Sequence, residues 1–241
     1  MSDIKRTSVR NAEIAEMLSG GSSLKNFYRF TAQNPHIALH DACQIIINRP
    51  TASICFPIEE WNAMGRRVTK GRKGIPYYDN EGYRKFVFDV NDTHGDKRYK
   101  RLIYPMKRLL VGLDELNGTE LYGEHTSDYR KIMSGVATFL NENEYLHDDE
   151  MRNRAFVEGV TYSLYSRTGF PKEGGIKLNG LPYSLIENAE LYKEILRATA
   201  ELTEEIDAAY ERKQAEVKVI DDTEENAVSD EPIVSPIEQI E

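Results

Sequence analysis

Residues 52–90 restrict the fold more than any other stretch. They interrupt a chain otherwise patterned for helices with short apolar runs, glycines and prolines. Ala52 to Phe56 is a brief apolar run that fits a strand. Pro57 is placed to start a short helix through Trp61. Ile75–Tyr78 and Arg84–Val90 read as strands, joined by the turn residues Asp79-Asn80-Glu81-Gly82. Pro76 has no amide hydrogen, so its strand belongs at a sheet edge. Phe86 and Phe88 alternate with Val87 and Asp89, which puts both rings on one face.

Helical spacing flanks this segment. Residues 11–18 form a short helix candidate that ends at Gly20-Gly21. Ser22-Ser23 can cap a second helix carrying Leu24, Phe27, Tyr28 and Phe30. Pro35 interrupts, and a third helix with Ile37, Leu39, Ala42, Ile45 and Ile46 closes at Pro50. Residues 91–101 are polar and read as a loop. Helices are expected over 128–141, 149–167 and 183–213, with a loop marked by Gly169, Pro171, Gly174 and Gly175. Leu185, Ala189, Tyr192, Leu196, Leu202, Ile206 and Tyr210, with Thr199, form one stripe on the last helix. Residues 214–241 carry many acids, Pro232 and Pro236, and no aromatic, and read as a disordered acidic tail.

The expectation is an α+β chain of 241 residues, 40% of them hydrophobic. Residues 1–21 are a frayed start with a short helix. Residues 22–110 hold a helical unit and a small antiparallel sheet bearing a basic loop. Residues 111–213 are a helical acidic region, and 214–241 are the tail. No internal repeat is evident.

Charge divides along the same lines. Residues 1–110 hold 19 Lys and Arg against 11 Asp and Glu, a net of +8. Residues 111–241 hold 12 against 29, a net of −17, so the overall −9 conceals a basic front and an acidic back. Such asymmetry is a sign of nucleic-acid contact at one end.

The basic residues concentrate in Gly65-Arg66-Arg67-Val68-Thr69-Lys70-Gly71-Arg72-Lys73-Gly74. Cations attract a phosphate backbone, and aromatic faces offer platforms for unpaired bases. Glycines let the main chain turn and approach a ligand. The sequence therefore predicts a nucleic-acid surface formed by Trp61, Arg66, Arg67, Lys70, Arg72, Lys73, Tyr77, Tyr78, Phe86 and Phe88. For Trp61 the commoner role is a core anchor, and on each strand only one face is free to stack.

Enzyme signatures are absent from the sequence. There is no His-Glu-x-x-His and no Gly-x-Ser-x-Gly. The loop 65–74 lacks the spacing and the Ser or Thr of a phosphate-binding Walker loop. His36 and His40 stand four apart on a possible helix face, but no third ligand is evident, so neither a metal nor a cofactor is expected. Asp148, Asp149 and Glu150 fit a helix N-terminus. Cys43 and Cys55 are too few for a disulfide framework and suit a reduced interior. No segment resembles a signal peptide or a membrane span, so a cytoplasmic protein is expected.

Several of these residues together resemble a known family. Asn34-Pro35, Arg49-Pro50, Trp61, the run Gly65–Ile75, the strand Phe86-Val87-Phe88-Asp89-Val90 and Asp92-Thr93 resemble the N-terminal domain of ArdC-type antirestriction proteins. The likeness is closer still to the equivalent domain at the front of large helicase- and methylase-like proteins of conjugative elements. It covers roughly 22–95. A weaker likeness extends over Arg154-Ala155-Phe156-Val157 and Tyr162 to Gly169. The resemblance implies single-stranded DNA binding. The metalloprotease-like domain of ArdC has a His-Glu-x-x-His motif that this chain lacks, so no protease activity carries over. The expected function is a non-enzymatic single-stranded DNA-binding protein of a plasmid, phage or conjugative element, acting in antirestriction or in protection of incoming DNA. The alternative is a protein–protein inhibitor of a host defence nuclease, with the acidic half as the contact.

Overall fold

In the computed structural model, residues 16–17, 21–79, 81–95, 104–117, 127–169, 178 and 185–228 are described, with 21, 185, 186, 189 and 219–228 as backbone alone. The expected helix at 11–18 is described only at 16–17, where it is helical. Residues 96–101, most of the 170–184 loop and residues 229–241 lie outside the described residues.

The architecture is α+β: helices α1 (Gly21–Gln33) and α2 (Leu39–Asn48), then β1 (Cys55–Phe56) and a short α3 (Ile58–Ala63). There follow β2 (Arg67–Val68), β3 (Ile75–Tyr78), β4 (Arg84–Asp89), a 3₁₀ turn at Val90–Asp92 and β5 (Thr93–His94). Helices α4 (Met106–Asn117), α5 (Asp128–Glu142), α6 (Glu150–Arg167) and α7 (Leu185–Val228) complete the described chain. The strands form two antiparallel sheets, one in the order β1-β4-β3 and one pairing β2 with β5.

The sheet follows the alternation of its sequence. Cys55, Ile75, Val87 and Asp89 point inward and are buried. Phe88 pairs with Phe56 and Phe86 with Pro76, so these four share the outward face. β3 is an edge strand, as Pro76 requires, and α2 covers that edge. The Gln44 side-chain amide accepts from Tyr78 N–H at 3.0 Å and donates to Tyr78 C=O at 2.8 Å, imitating a neighbouring strand. Asn48 donates to the Pro76 carbonyl at 2.8 Å. Every one of these edge groups would otherwise template pairing with another chain.

In the helical half, α6 packs on α1, α5 and α7. Three neighbours explain how much of it is buried: Phe156, Val160, Tyr162 and Leu164 are buried together with Thr161, Ser163 and Ser166. Asp149 caps it by accepting Arg152 N–H at 3.0 Å. Tyr28 of α1 and Tyr192 of α7 meet above its Gly159, their ring centres 5.6 Å apart.

Four elements differ from the sequence expectation. Helix α4 was not anticipated, although Leu109 and Leu113 are four apart and both buried. It begins just after Pro105, a residue that suits a helix start. Helix α7 does not stop at 213 but continues to Val228, so the first part of the expected tail is helical. Residues 214–228 contain no Gly or Pro and several Ala, Glu and Lys, which favour helix. Residues 67–68 and 93–94, both expected in loops, pair as β2 and β5. The buried stripe of α7 runs through Tyr192, Ile195, Ala198, Thr199, Leu202, Ile206 and Ala209, with Leu196 and Tyr210 partly buried. Thr199 donates to the Ile195 carbonyl at 2.7 Å, which satisfies its buried hydroxyl.

Both cysteines are free and buried. Burial pushes the Cys43 thiol up to about 12. It also raises that of Cys55, helped by the nearby Asp89 carboxylate. Such thiols are poor nucleophiles. Among the described residues, no helix is long and apolar enough to cross a membrane.

Gly112 of α4 tests the packing of α4 on α7. A Cβ there would stand 2.5 Å from the Ile206 carbonyl oxygen and 2.6 Å from its Cγ2. Helix propensity alone would favour Gly112→Ala by about 1 kcal/mol. Overpacking against backbone costs about 1–3 kcal/mol or more and should win. Urea unfolding should show a lower midpoint for the variant; an unchanged or higher one would refute this contact.

Candidate nucleic-acid interface

The loop is held before it is presented. Gly65 ends α3 with φ 74°. Its N–H donates to Asn62 and that of Arg66 to Trp61, at 3.0 and 2.9 Å, a Schellman ending that only a left-handed residue allows. The chain then pairs as β2 with β5. Thr69 to Arg72 form a tight turn closed by Arg72 N–H to Thr69 C=O at 3.1 Å, with Gly71 at φ 87°. A positive φ at the third position is what a type II turn demands. Lys70 thus sits at the tip and is exposed.

Three buried polar side chains fasten this loop and the sheet to the helical front. Asn34 donates to Phe30 C=O at 2.8 Å and to Ser53 C=O at 2.5 Å, and accepts Cys55 N–H at 2.8 Å. Asp89 accepts the Ser53 amide, the Ser53 hydroxyl at 2.9 Å, and the Asn91 amide and side chain at 2.8 and 2.7 Å. Asp92 pairs with Arg49, whose other nitrogen donates to Lys73 C=O at 3.2 Å. Arg72 lies 3.8 Å from the same carboxylate.

The ten residues expected to touch nucleic acid therefore divide. Trp61 is wholly buried: its indole N–H donates to Phe88 C=O at 2.8 Å and its ring meets Phe56 edge-on at 5.3 Å. It has no face open to a base and is a core anchor. Arg66 is drawn inward. Its guanidinium donates to the Thr93 hydroxyl and carbonyl at 2.9 and 3.1 Å and lies 5.8 Å from the Trp61 ring centre. Tyr77 lies on the inward face of β3, half-buried, and burial raises its hydroxyl pKa, with Asp41, Asp79 and Glu60 adding to the effect. These three serve the scaffold.

The others reach the surface to different degrees. Arg67, Lys70, Arg72 and Lys73 are exposed, and Tyr78 and Phe88 are half-buried on the outward face. Phe86 is 45% exposed. The loop and the rings meet at Gly74, where a Cβ would come within 3.1 Å of both Phe86 and Phe88. A larger residue would have to push these rings aside by a few tenths of an ångström.

Sequence reasoning missed the hairpin tip. Arg84 covers the Phe86 ring at 4.9 Å, and Lys85 approaches the ring of Tyr83 at 5.9 Å. Tyr83 is 62% exposed. The signal was present, since Arg84 stands two residues before Phe86 and shares its face. Asp79 and Glu81 are the acids nearest in sequence, and Asp79 lies 3.7 Å from Lys85.

The histidine pair separates. His36 precedes α2, stacks on Phe56 and bonds the Cys55 carbonyl at 2.9 Å. His40 lies on α2 beside Gln44 at 3.1 Å. His125 lies outside the described residues. Among the described residues, no group of three His, Cys, Asp or Glu side chains could hold a metal ion. No family model, curated protein or solved structure matches the chain.

Asp89 offers the sharpest test of this scaffold. Asp89→Ala leaves the Ser53 and Asn91 amides without an acceptor, and one unsatisfied buried donor costs ~1–3 kcal/mol. A loss of about 2–4 kcal/mol is expected in urea unfolding. Asp148→Ala, at an exposed position, should change stability by less than ~0.5 kcal/mol. Equal effects of the two would contradict the assignment.

Proposed function

We propose that the chain is a non-enzymatic, sequence-tolerant single-stranded DNA-binding protein of a mobile genetic element, acting in antirestriction or in protection of incoming DNA. The observation that carries this reading is the outward sheet face. Phe86 lies open there under Arg84, and the basic loop reaches the same face through Gly74. An exposed phenylalanine is unfavourable in water and useful to an unpaired base, whose own apolar faces need cover. Arg67, Lys70 and Lys73 supply phosphate contacts. Duplex DNA keeps its base faces stacked, so the aromatic part of the site favours single strands. The resemblance of residues 22–95 to the ArdC-type N-terminal domain points the same way.

A second reading rests on α7. Its acids Glu190, Glu201, Glu204, Glu205 and Glu211 are all exposed. They give the −17 half a surface suited to a basic protein partner, such as a restriction or CRISPR nuclease. That reading requires co-elution with the nuclease on size exclusion without DNA; separate elution would dismiss it.

Anisotropy of labelled single-stranded and duplex oligonucleotides across a salt series tests the first reading. Single strands should bind more tightly. Replacing Arg67, Lys70 and Lys73 with glutamine should reduce the slope of log affinity against log salt by about 2, at ~0.7 per phosphate contact. Phe86→Ala should weaken binding by ~1–3 kcal/mol without changing that slope. Absence of binding at low salt would sink the proposal.

A further inference from the structure

The single-strand reading above uses one end of the open sheet face, and the other end has an aromatic pair of its own. The His36 ring lies parallel to the Phe56 ring, with centres 4.1 Å apart and planes within 4°. Phe56 is the register partner of Phe88, so it shares the outward face with Phe86. Strand spacing and rise put the Phe56 and Phe86 positions about 8 Å apart across that face. Successive bases of an extended strand cover a similar span.

His36 is fixed for such a role. The Asn34 side chain joins Phe30, Ser53 and Cys55, and Ile37 N–H donates to the Asn34 carbonyl at 3.0 Å, which sets the turn carrying His36. The imidazole Nε2 lies 2.9 Å from the Cys55 carbonyl, so this nitrogen carries the proton and the ring cannot swing away. His36 is nevertheless exposed. One ring face is covered by Phe56, so the open area lies on the opposite face and edge. An exposed, immobilised planar ring is a stacking surface whose entropy has already been lost on folding.

We propose that His36, backed by Phe56, is a second base-stacking position, and that a single strand crosses the outward face from there to Phe86 under Arg84. The proposal rests on the single-strand reading. Charge identifies the occupant: the outward positions Phe56, Phe88, Phe86, Arg84, Pro76 and Tyr78 include a cation and no acid. Lys73 adjoins them through Gly74. A polyanion with flat apolar bases fits that surface, and an acidic peptide would leave the rings unused. The bases are held by their faces, so no sequence preference follows.

The test compares wild-type protein with His36→Ala, His36→Phe and Phe86→Ala by anisotropy of a labelled oligothymidylate of about ten nucleotides. His36→Ala should weaken binding about 5- to 160-fold, the range expected for loss of one stacked base. His36→Phe should stay within about threefold of wild type, because it keeps a ring over Phe56. Ultraviolet cross-linking of wild-type protein to a 5-iododeoxyuridine strand should place adducts on peptides containing His36 or Phe56, which decides the matter even if His36→Ala misfolds. Wild-type-like binding by His36→Ala, or adducts confined to the loop, would overturn the second position while Phe86→Ala still marks the first. No binding by the wild-type protein at low salt would remove the single-strand reading itself and leave the face to a protein partner.

Discussion

The small sheet depends on a carboxylate that never reaches solvent. Asp89 ends β4 pointing inward, where a hydrophobic residue would be the usual occupant, and it gathers Ser53 and Asn91 around itself. Those bonds hold β1, only two residues long, against β4 and start the 3₁₀ turn. The turn then sets Asp92 under Arg49 and presents Thr93 to Arg66. Without that sequence of contacts, neither the β2–β5 pair nor the loop between β2 and β3 has a reason to adopt one position. Two such short sheets could not stand on backbone pairing alone. A buried charge is costly unless its lone pairs are filled, and here donors occupy both oxygens.

The most distinctive polar and aromatic residues between 34 and 93 take on a particular meaning in this arrangement. Asn34, Arg49, Trp61, Asp89, Asp92 and Thr93 all bond to main chain or to one another in or near the interior. They build a frame. The residues free to meet a ligand, Arg67, Lys70, Lys73, Arg84 and Phe86, lie on the outside of that frame. A motif of this kind therefore speaks first to the shape of the loop and the sheet. Function has to be argued from the exposed cations and rings.

Periodicity made the middle of the chain legible. The hairpin, the edge position of Pro76 and the shared face of Phe86 and Phe88 follow from alternation and from one missing amide hydrogen. Which face is the inner one does not follow. Val87 and Asp89 turn inward because Asp89 has partners contributed by residues 53 and 91, and no local pattern announces that. The same blindness affected Trp61 and Arg66: their place beside a basic loop suggested a ligand, but the bonds to Phe88 and Thr93 come from residues 27 positions away. Helix α4 is masked by the polar stretch before it, although its leucines carry the helical spacing. At the other end, the acids of 214–228 suggested disorder, yet composition without a breaker is compatible with a helix once the preceding turns of α7 are packed.

The way the sheet is closed also narrows how it can meet a partner. A strand edge is the simplest docking site on a sheet, since its unpaired amides and carbonyls accept another strand. Here Gln44 and Asn48 occupy those groups on β3, and Pro76 contributes no amide at all. At the opposite edge, β1 offers two residues, and the Cys55 carbonyl and amide are engaged by His36 and Asn34. Addition of a strand would have to displace side chains at either edge. The face between them carries Phe86 with Arg84 above it and His36 on Phe56, and of its rings Phe86 and His36 are exposed. Rings presented on a face recognise flat groups from above, a geometry that suits bases spread along a backbone. The edge contacts thus do more than stop aggregation: they leave stacking as the mode of contact the sheet can offer without first breaking its own bonds.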